Sequence, residues 1–565
     1  MSLHGRWQLP LLIALAAALT LGTAGWGDLY NETDGQYGGA AKVMARSGSW
    51  LIPENDGIPR LVKPPLLYWA IAASMKVFGV NEFAARLPNA LAVTAWVSVT
   101  FLIGTLMGGK WRGFLAGFIL LTSLGTFTLG RIVMPEPMFS AFIAAALYCA
   151  LRGADHASHR RGWFFGFWLF ASLASFTKGW HGLLYPLAIV GIAAIFCGQA
   201  RQGLCGLVSW QGALLFAMIN LPWYLYVEFR FPGYLHNLVV AEQLGHVLGA
   251  STPATSYTDV PRCQFLLLQL AWLFPWSLGI IGAAPLLASN FRRQRCVALS
   301  LPTLIVIAWM VVIAGSVLLA GQRQDYYAMS MWPAFALAVA WVLERSQVQP
   351  LIILLAILLG ACLAWSQANP YITHPSNTAV LAERATAWTA IINFDRAVWT
   401  RLRTTAWLAL GGALFFAMLG LFSRRSKLKL AAIAALAVCL DFGAVSGTSL
   451  ISPYFSLATV AADIRRDAPI VYDGGIDTGS SLLFYSDSPV ILLDQNPDSD
   501  FVVRKFGIGR DRFLTISEFV AFWNSAAPTA FITEESKLGG WRELLGISLA
   551  PVARCGTQVL LKNTP

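Results

Sequence analysis

Long apolar stretches recur along this chain of 565 residues, divided by short polar loops, until a C-terminal part breaks the pattern. A helix that crosses a bilayer needs about 20 mostly apolar residues. Some thirteen stretches approach that length, near 9–26, 88–107, 113–129, 137–151, 163–177, 181–197, 206–227, 265–287, 299–320, 331–344, 350–366, 404–423 and 430–448. The first lacks a small-residue cleavage site and reads as a retained anchor. After Thr448 the spans stop. Pro469-Ile-Val-Tyr-Asp, Leu482-Leu-Phe-Tyr, Pro489-Val-Ile-Leu-Leu-Asp and Gln558-Val-Leu-Leu-Lys read as short strands, with helices over 456–466 and 517–523 between them. The pattern predicts an all-α polytopic membrane region over 1–448 and a small α/β domain over 449–565.

Composition agrees with immersion in lipid. The chain is 56% apolar and 12% charged, where a soluble domain carries about 25% charged residues. Its 22 Trp and 34 Phe suit interface belts and lipid-facing surfaces. A net charge of +11 would suggest a nucleic-acid partner in a soluble chain. Here the cations lie in alternate short loops, so topology explains them and no nucleic acid is expected. With the N-terminus placed in the cytoplasm, the inner loops collect fifteen Lys and Arg, opposed by Asp155 and Glu344. That bias predicts the orientation in a bacterial inner membrane and puts the C-terminal domain in the periplasm. The eight Cys show no Cys/His ligand spacing. Cys263 and Cys555 are the pair whose predicted outer placement would permit a disulfide.

Ionisable residues at membrane edges are costly and mark function. Glu32, Asp34, Lys63, Arg86, Arg131, Glu136, Lys178, Glu242, Arg323 and Asp325 all fall on the predicted outer side. Carboxylates there can activate an acceptor or hold a metal. Lys and Arg can neutralise a phosphate. One face therefore collects what a reaction on an anionic, membrane-bound substrate needs, and a transporter or flippase of lipid-linked sugars is the alternative. The first outer loop, 27–87, is the most informative. It holds Asn31-Glu32-Thr33-Asp34-Gly35-Gln36-Tyr37, then Lys63-Pro64-Pro65-Leu66-Leu67-Tyr68-Trp69. Two prolines with fixed φ place Lys63 on a stiff turn.

These motifs resemble those of the lipid A aminoarabinose transferases and of the wider protein-O-mannosyltransferase-like group. Ser47-Gly48-Ser49-Trp50-Leu51-Ile52-Pro53, Ala85-Arg86-Leu87-Pro88, Arg131-Ile-Val-Met-Pro-Glu136, Thr177-Lys178-Gly179 and Gln322-Arg323-Gln324-Asp325-Tyr326-Tyr327 extend the resemblance in order along the membrane region. It implies a GT-C fold and an inverting glycosyltransferase. Such an enzyme moves a sugar from a polyprenyl (undecaprenyl) phosphate to a lipid A-like, envelope-glycan or protein acceptor.

By the same resemblance, Asp34 is the base or an acidic metal ligand, with Glu32 the second choice. Lys63 holds the catalytic carboxylate or the donor phosphate, and Glu136 is the second acidic group. Arg323, Tyr326, Tyr327, Lys178, Arg86 and Arg131 are expected around the lipid phosphate, with Tyr37, Tyr68 and Glu242 as further site residues. A divalent metal would draw on Asp34, Glu136 and His246, which stands four residues after Glu242; no cofactor is otherwise implied. Two positions depart from the family. Gln36 stands before Tyr37 where Arg is frequent, and Ser251-Thr252-Pro253 stands where a His is frequent. The C-terminal domain carries no catalytic motif, and acceptor binding is its expected role.

Overall fold

The computed structural model describes residues 6–155, 159–197, 203–245, 260–282, 299–345, 360, 396–466, 468–525, 527–545 and 550–563. Seven described helices are long and apolar enough to cross a membrane: Glu82–Gly108, Glu136–Asp155, Trp210–Arg230, Leu301–Leu319, Asp325–Arg345, Ala397–Phe422 and Ser426–Phe455. Gln8–Thr23, Leu66–Phe78 and His181–Phe196 are shorter apolar helices. The chain is a multi-pass membrane protein. We label the N-terminal helices α1 (Gln8–Thr23), α2 (Thr33–Ser47), α3 (Leu66–Phe78), α4 (Glu82–Gly108), α5 (Lys110–Leu121), α6 (Leu124–Leu129), α7 (Glu136–Asp155), α8 (Arg160–Lys178) and α9 (His181–Phe196).

Local chemistry sets the helix ends. Asn81 caps α4, its side-chain oxygen accepting from Ala84 N–H at 2.8 Å. Gly109, at φ 88°, turns the chain back into α5. The expected span 113–129 is two helices, because the chain breaks at Thr122 and Ser123, where the Thr122 hydroxyl accepts from the buried Trp276 indole at 2.9 Å. The expected span 265–287 is likewise broken: Arg262–Trp272 ends before Pro275, and a tighter turn follows over Trp276–Gly282. The expected span 350–366 lies outside the described residues except for 360.

The membrane core packs around large buried rings, with Trp96 and Trp332 stacked at 6.2 Å. At the end of the bundle away from the C-terminal domain, Glu344 receives the Arg112 guanidinium at 2.5 Å. The first long loop is well built rather than irregular. After α1 it forms α2, then a hairpin of β1 (Glu54–Asn55) and β2 (Ile58–Pro59), and then α3, which begins directly after Pro65.

Helix Ser426–Phe455 delivers the chain to the C-terminal domain. There β3 (Ile470–Tyr472), β4 (Val490–Leu493), β5 (Phe513–Leu514), β6 (Ala530–Glu534), β7 (Ala553–Cys555) and β8 (Gln558–Lys562) form one mixed sheet in the order β5-β4-β3-β6-β8-β7. The first four strands in that order are parallel, and β8 and β7 are antiparallel to their neighbours. Strands β5, β6 and β7 were missed in the sequence. Leu482-Leu-Phe-Tyr, expected as a strand, is the helix Ser481–Tyr485. A short apolar run buried on all sides carries no period that separates the two. Cys263 and Cys555 do not pair: both are free thiols, and Cys555 is buried against the carbonyls of Pro453 and Ser456.

Candidate active site

Asp34 lies in the first turn of α2 and is almost fully buried, at 2% exposure. Its Oδ1 accepts from Val133 N–H at 2.5 Å and its Oδ2 from Tyr30 N–H at 3.1 Å. The Arg86 guanidinium stands 3.8 Å from Oδ2. Burial pushes the carboxyl above its ordinary value, against the pull of Arg86, the two N–H donors and Arg131. Two residues earlier, Glu32 is exposed and holds a φ of 66° with ψ −114°, a conformation favouring glycine. Such a residue costs about 1–3 kcal/mol and persists only where its surroundings over-determine it.

Arg86 was expected at the donor phosphate, and the structure commits it elsewhere. From α4 its guanidinium donates to the carbonyls of Ala24, Trp26, Gly27 and Asp28 at 2.6–3.1 Å. It clamps the segment through which the chain leaves α1 and supplies the buried countercharge of Asp34. Arg131 donates to the Trp26 carbonyl at 2.7 Å; burial, then Arg86, lowers it to about 10. Arg86→Ala is expected to destabilise the protein by about 3–5 kcal/mol by leaving Asp34 buried without its partner. Lys at this position restores little, lacking the fork that serves several carbonyls. The apparent Tm of detergent-solubilised protein checks both.

A second cluster forms around Glu136, the first residue of α7. Its Oε1 meets Lys178 Nζ, at the end of α8, at 2.9 Å. Each charge sits where its helix dipole favours it, the carboxylate at an N-terminus and the ammonium at a C-terminus. Glu136 Oε2 is buried and accepts no hydrogen bond among the described residues. Lys178 Nζ also stands 4.8 Å from the centre of the Tyr327 ring, and Tyr326 packs edge-on against Tyr327. Lys63, half-buried at the end of the hairpin segment, lies with Lys178 within electrostatic reach of His181 at the start of α9. The loop 131–136 joins the two clusters. Its Val133 binds Asp34, its Glu136 binds Lys178, and the Asn89 amide fixes it by donating to Ile132 and Met134.

Tyr37 and Tyr68 stack at 4.8 Å, and Arg60 covers the Tyr37 ring while donating to the Tyr68 hydroxyl at 3.0 Å. Arg323, also expected at the phosphate, is buried with its guanidinium on the carbonyls of Val260 and Ala320. His246, Ser251-Thr252-Pro253 and the Glu242 side chain lie outside the described residues. Of the expected metal ligands, His246 lies outside the described residues and the two carboxylates hold other partners. Both Asp34 oxygens already hold N–H donors, Glu136 is paired with a lysine, and no group of three His, Cys, Asp or Glu ligands occurs among the described residues. Sequence reasoning also missed Asn89, Arg60 and His181. For Asn89 the one available signal was its place just after Ala85-Arg86-Leu87-Pro88.

Comparison with known proteins shows what the chain is similar to. Residues 7–238 match the family described as dolichyl-phosphate-mannose-protein mannosyltransferase. An undecaprenyl phosphate-alpha-4-amino-4-deoxy-L-arabinose arabinosyl transferase of Proteus mirabilis is 26% identical over 47% of this chain and 48% of its own length. Its counterpart in Aeromonas salmonicida is 26% identical over 54% of each chain. The chain thus spans about half the length of the curated relatives it matches. The solved structure of ArnT from Cupriavidus metallidurans bound to undecaprenyl phosphate superposes with a TM-score of 0.79 over 98% of both chains, at 18% identity. An Archaeoglobus fulgidus oligosaccharyltransferase superposes at 0.53 over 94% of this chain and 70% of its own, at 12% identity.

The architecture is that of a polytopic membrane protein with the GT-C fold. Within that class the chain resembles the aminoarabinose transferases and the protein mannosyltransferases, as its acidic loop and Lys63-Pro-Pro unit implied.

Proposed function

We propose that the protein is an inverting glycosyltransferase that takes a sugar from a polyprenyl phosphate and passes it to a lipid, envelope-glycan or protein acceptor. The reading places it in a bacterial inner membrane, with the N-terminus cytoplasmic and the C-terminal domain and site periplasmic. The observation that carries it is one short loop, 131–136, holding a buried carboxylate at one end and a carboxylate–lysine–tyrosine cluster at the other. The match to transferases that use polyprenyl-phosphate sugars supports the donor class.

In this mechanism Asp34 takes the proton of the acceptor hydroxyl. The freed oxygen attacks the anomeric carbon on the face opposite the phosphate. A bond from the acceptor oxygen to that carbon forms as the bond from the carbon to the phosphate oxygen breaks, which inverts the centre. Polyprenyl phosphate leaves with the electron pair. Lys63 and Lys178 stabilise the negative charge that grows on it, and Tyr326 and Tyr327 line its seat. The unpaired Oε2 of Glu136 is placed to hold a sugar hydroxyl. A flippase needs no base, so in the transport alternative Asp34 only holds Arg86 and the N–H groups of Val133 and Tyr30.

Asp34 must be ionised to act, and burial raises its pKa. Activity is therefore lost as pH falls through that raised value. The acid limb of the kcat profile should lie above the ordinary aspartate range, which a pH series on reconstituted protein checks. The donor class is tested by turnover of purified protein with polyprenyl-phosphate sugars and nucleotide sugars side by side. Turnover with the lipid-linked donors alone supports the reading; turnover with nucleotide sugars alone overturns it.

A further inference from the structure

The C-terminal domain grips the first loop at two places. At the acidic segment, Glu32 N–H donates to the Asp477 carbonyl at 2.7 Å and the Ser480 hydroxyl donates to the Glu32 carbonyl at 3.1 Å. The Gln36 amide donates to the Asp477 carboxylate at 2.6 Å, and Ser481 N–H donates to the Asn31 side chain at 3.0 Å. Helix Ser481–Tyr485 lies directly on α2, on a face of Gly35, Gly38 and Gly39. A Cβ on Gly35 would collide with the backbone of Ser480 and Ser481. At the hairpin, Val490 N–H donates to the Asp56 carboxylate at 2.8 Å, and Arg512 pairs with the same carboxylate at 3.1 Å.

The two grips coincide with the strained points of the loop. Among the described residues outside the domain, Glu32 and Asp56 are the non-glycine positions with positive φ, at 66° and 50°. Glu32 is two residues before Asp34, and Asp56 is seven before Lys63. A strained backbone holds its shape only where contacts fix it, and here the domain supplies those contacts.

We propose that the C-terminal domain positions the catalytic centre, with Asp477 and Ser480 as positioning residues that hold the 31–36 segment and so set where Asp34 stands. This rests on the reading of Asp34 as the base. It replaces acceptor binding as the domain's role.

The test is the full-length double variant Asp477→Ala/Ser480→Ala beside Asp477→Asn, with two readouts. One is kcat and the KM values for donor and acceptor in reconstituted protein. The other is hydrogen exchange over residues 28–37, which needs no turnover. A misplacement of about 1 Å costs on the order of 100-fold in rate. The double variant should therefore lose about 10- to 100-fold in kcat with both KM values little changed, and exchange over 28–37 should rise. Asp477→Asn, whose amide oxygen still accepts from Gln36, should keep most of the activity and the protection. An acceptor-binding domain would instead raise the acceptor KM with kcat intact, and that result overturns the proposal. So does wild-type exchange in the double variant. If the wild-type protein turns over no donor, the proposed function fails. Exchange alone then decides: increased exchange upholds the coupling of domain and loop, and unchanged exchange removes it.

Discussion

Asp34→Asn is expected to lower kcat by about 10²–10⁴-fold, the range for losing a positioned general base, with the donor KM nearly unchanged. The substitution keeps the oxygen that accepts from Val133 N–H but sets an amide N–H against Tyr30 N–H and Arg86. One buried donor then loses its partner, a cost of about 1–3 kcal/mol, so the folded fraction has to be measured beside the rate. The size of the loss also reports on the acceptor. A hydroxyl must surrender its proton as it attacks and needs the base in full. A phosphate acceptor is already ionised, so its loss falls at the low end or below. Asp34→Asn thus separates the two acceptor classes even before the acceptor is identified.

Lys63→Ala is expected to cost about 10²–10³-fold, the usual effect of removing one group that stabilises developing charge. The loss should appear mainly in kcat. Charge on the phosphate grows as its bond to the sugar breaks, so a nearby cation binds the transition state better than the ground state. Lys63→Arg should recover part of the rate, since it restores the charge but not the compact ammonium. In the proposed mechanism Lys178 acts on the same phosphate, and in the structure it neutralises the buried Glu136. Lys178→Ala should therefore lower both stability and rate. Lys63, on a turn ahead of α3, is the cleaner probe of leaving-group stabilisation.

The membrane spans and the acidic loop were legible because each rests on local pattern. Apolar length marks the helices, and Lys63-Pro-Pro announces a stiffened cation. What was illegible rests on contacts far apart in the chain. Nothing in Ala85-Arg86-Leu87-Pro88 shows that the guanidinium will be taken up by four carbonyls of the preceding segment. The same holds for Arg323, whose guanidinium donates to the carbonyls of Val260 and Ala320. The grip of Asp477 on Gln36 spans more than four hundred residues and depends on the glycine face of α2, which composition alone renders as flexibility. The strand expected at Leu482 failed where a short apolar run is buried from every side. The break at Pro275 sits inside a stretch whose hydropathy alone reads as continuous.

In the proposed function Asp34 and Lys63 serve one sugar-transfer reaction on a lipid-linked donor. The most direct measurement is product formation in liposomes holding purified wild-type, Asp34→Asn or Lys63→Ala protein. Mass spectrometry would follow the glycosylated acceptor and the released polyprenyl phosphate together. Both products should appear in equal amounts with the wild-type protein and collapse in both variants while the folded fraction is retained. Wild-type rates in both folded variants, or sugar crossing the bilayer with the donor left intact, would contradict the proposed function.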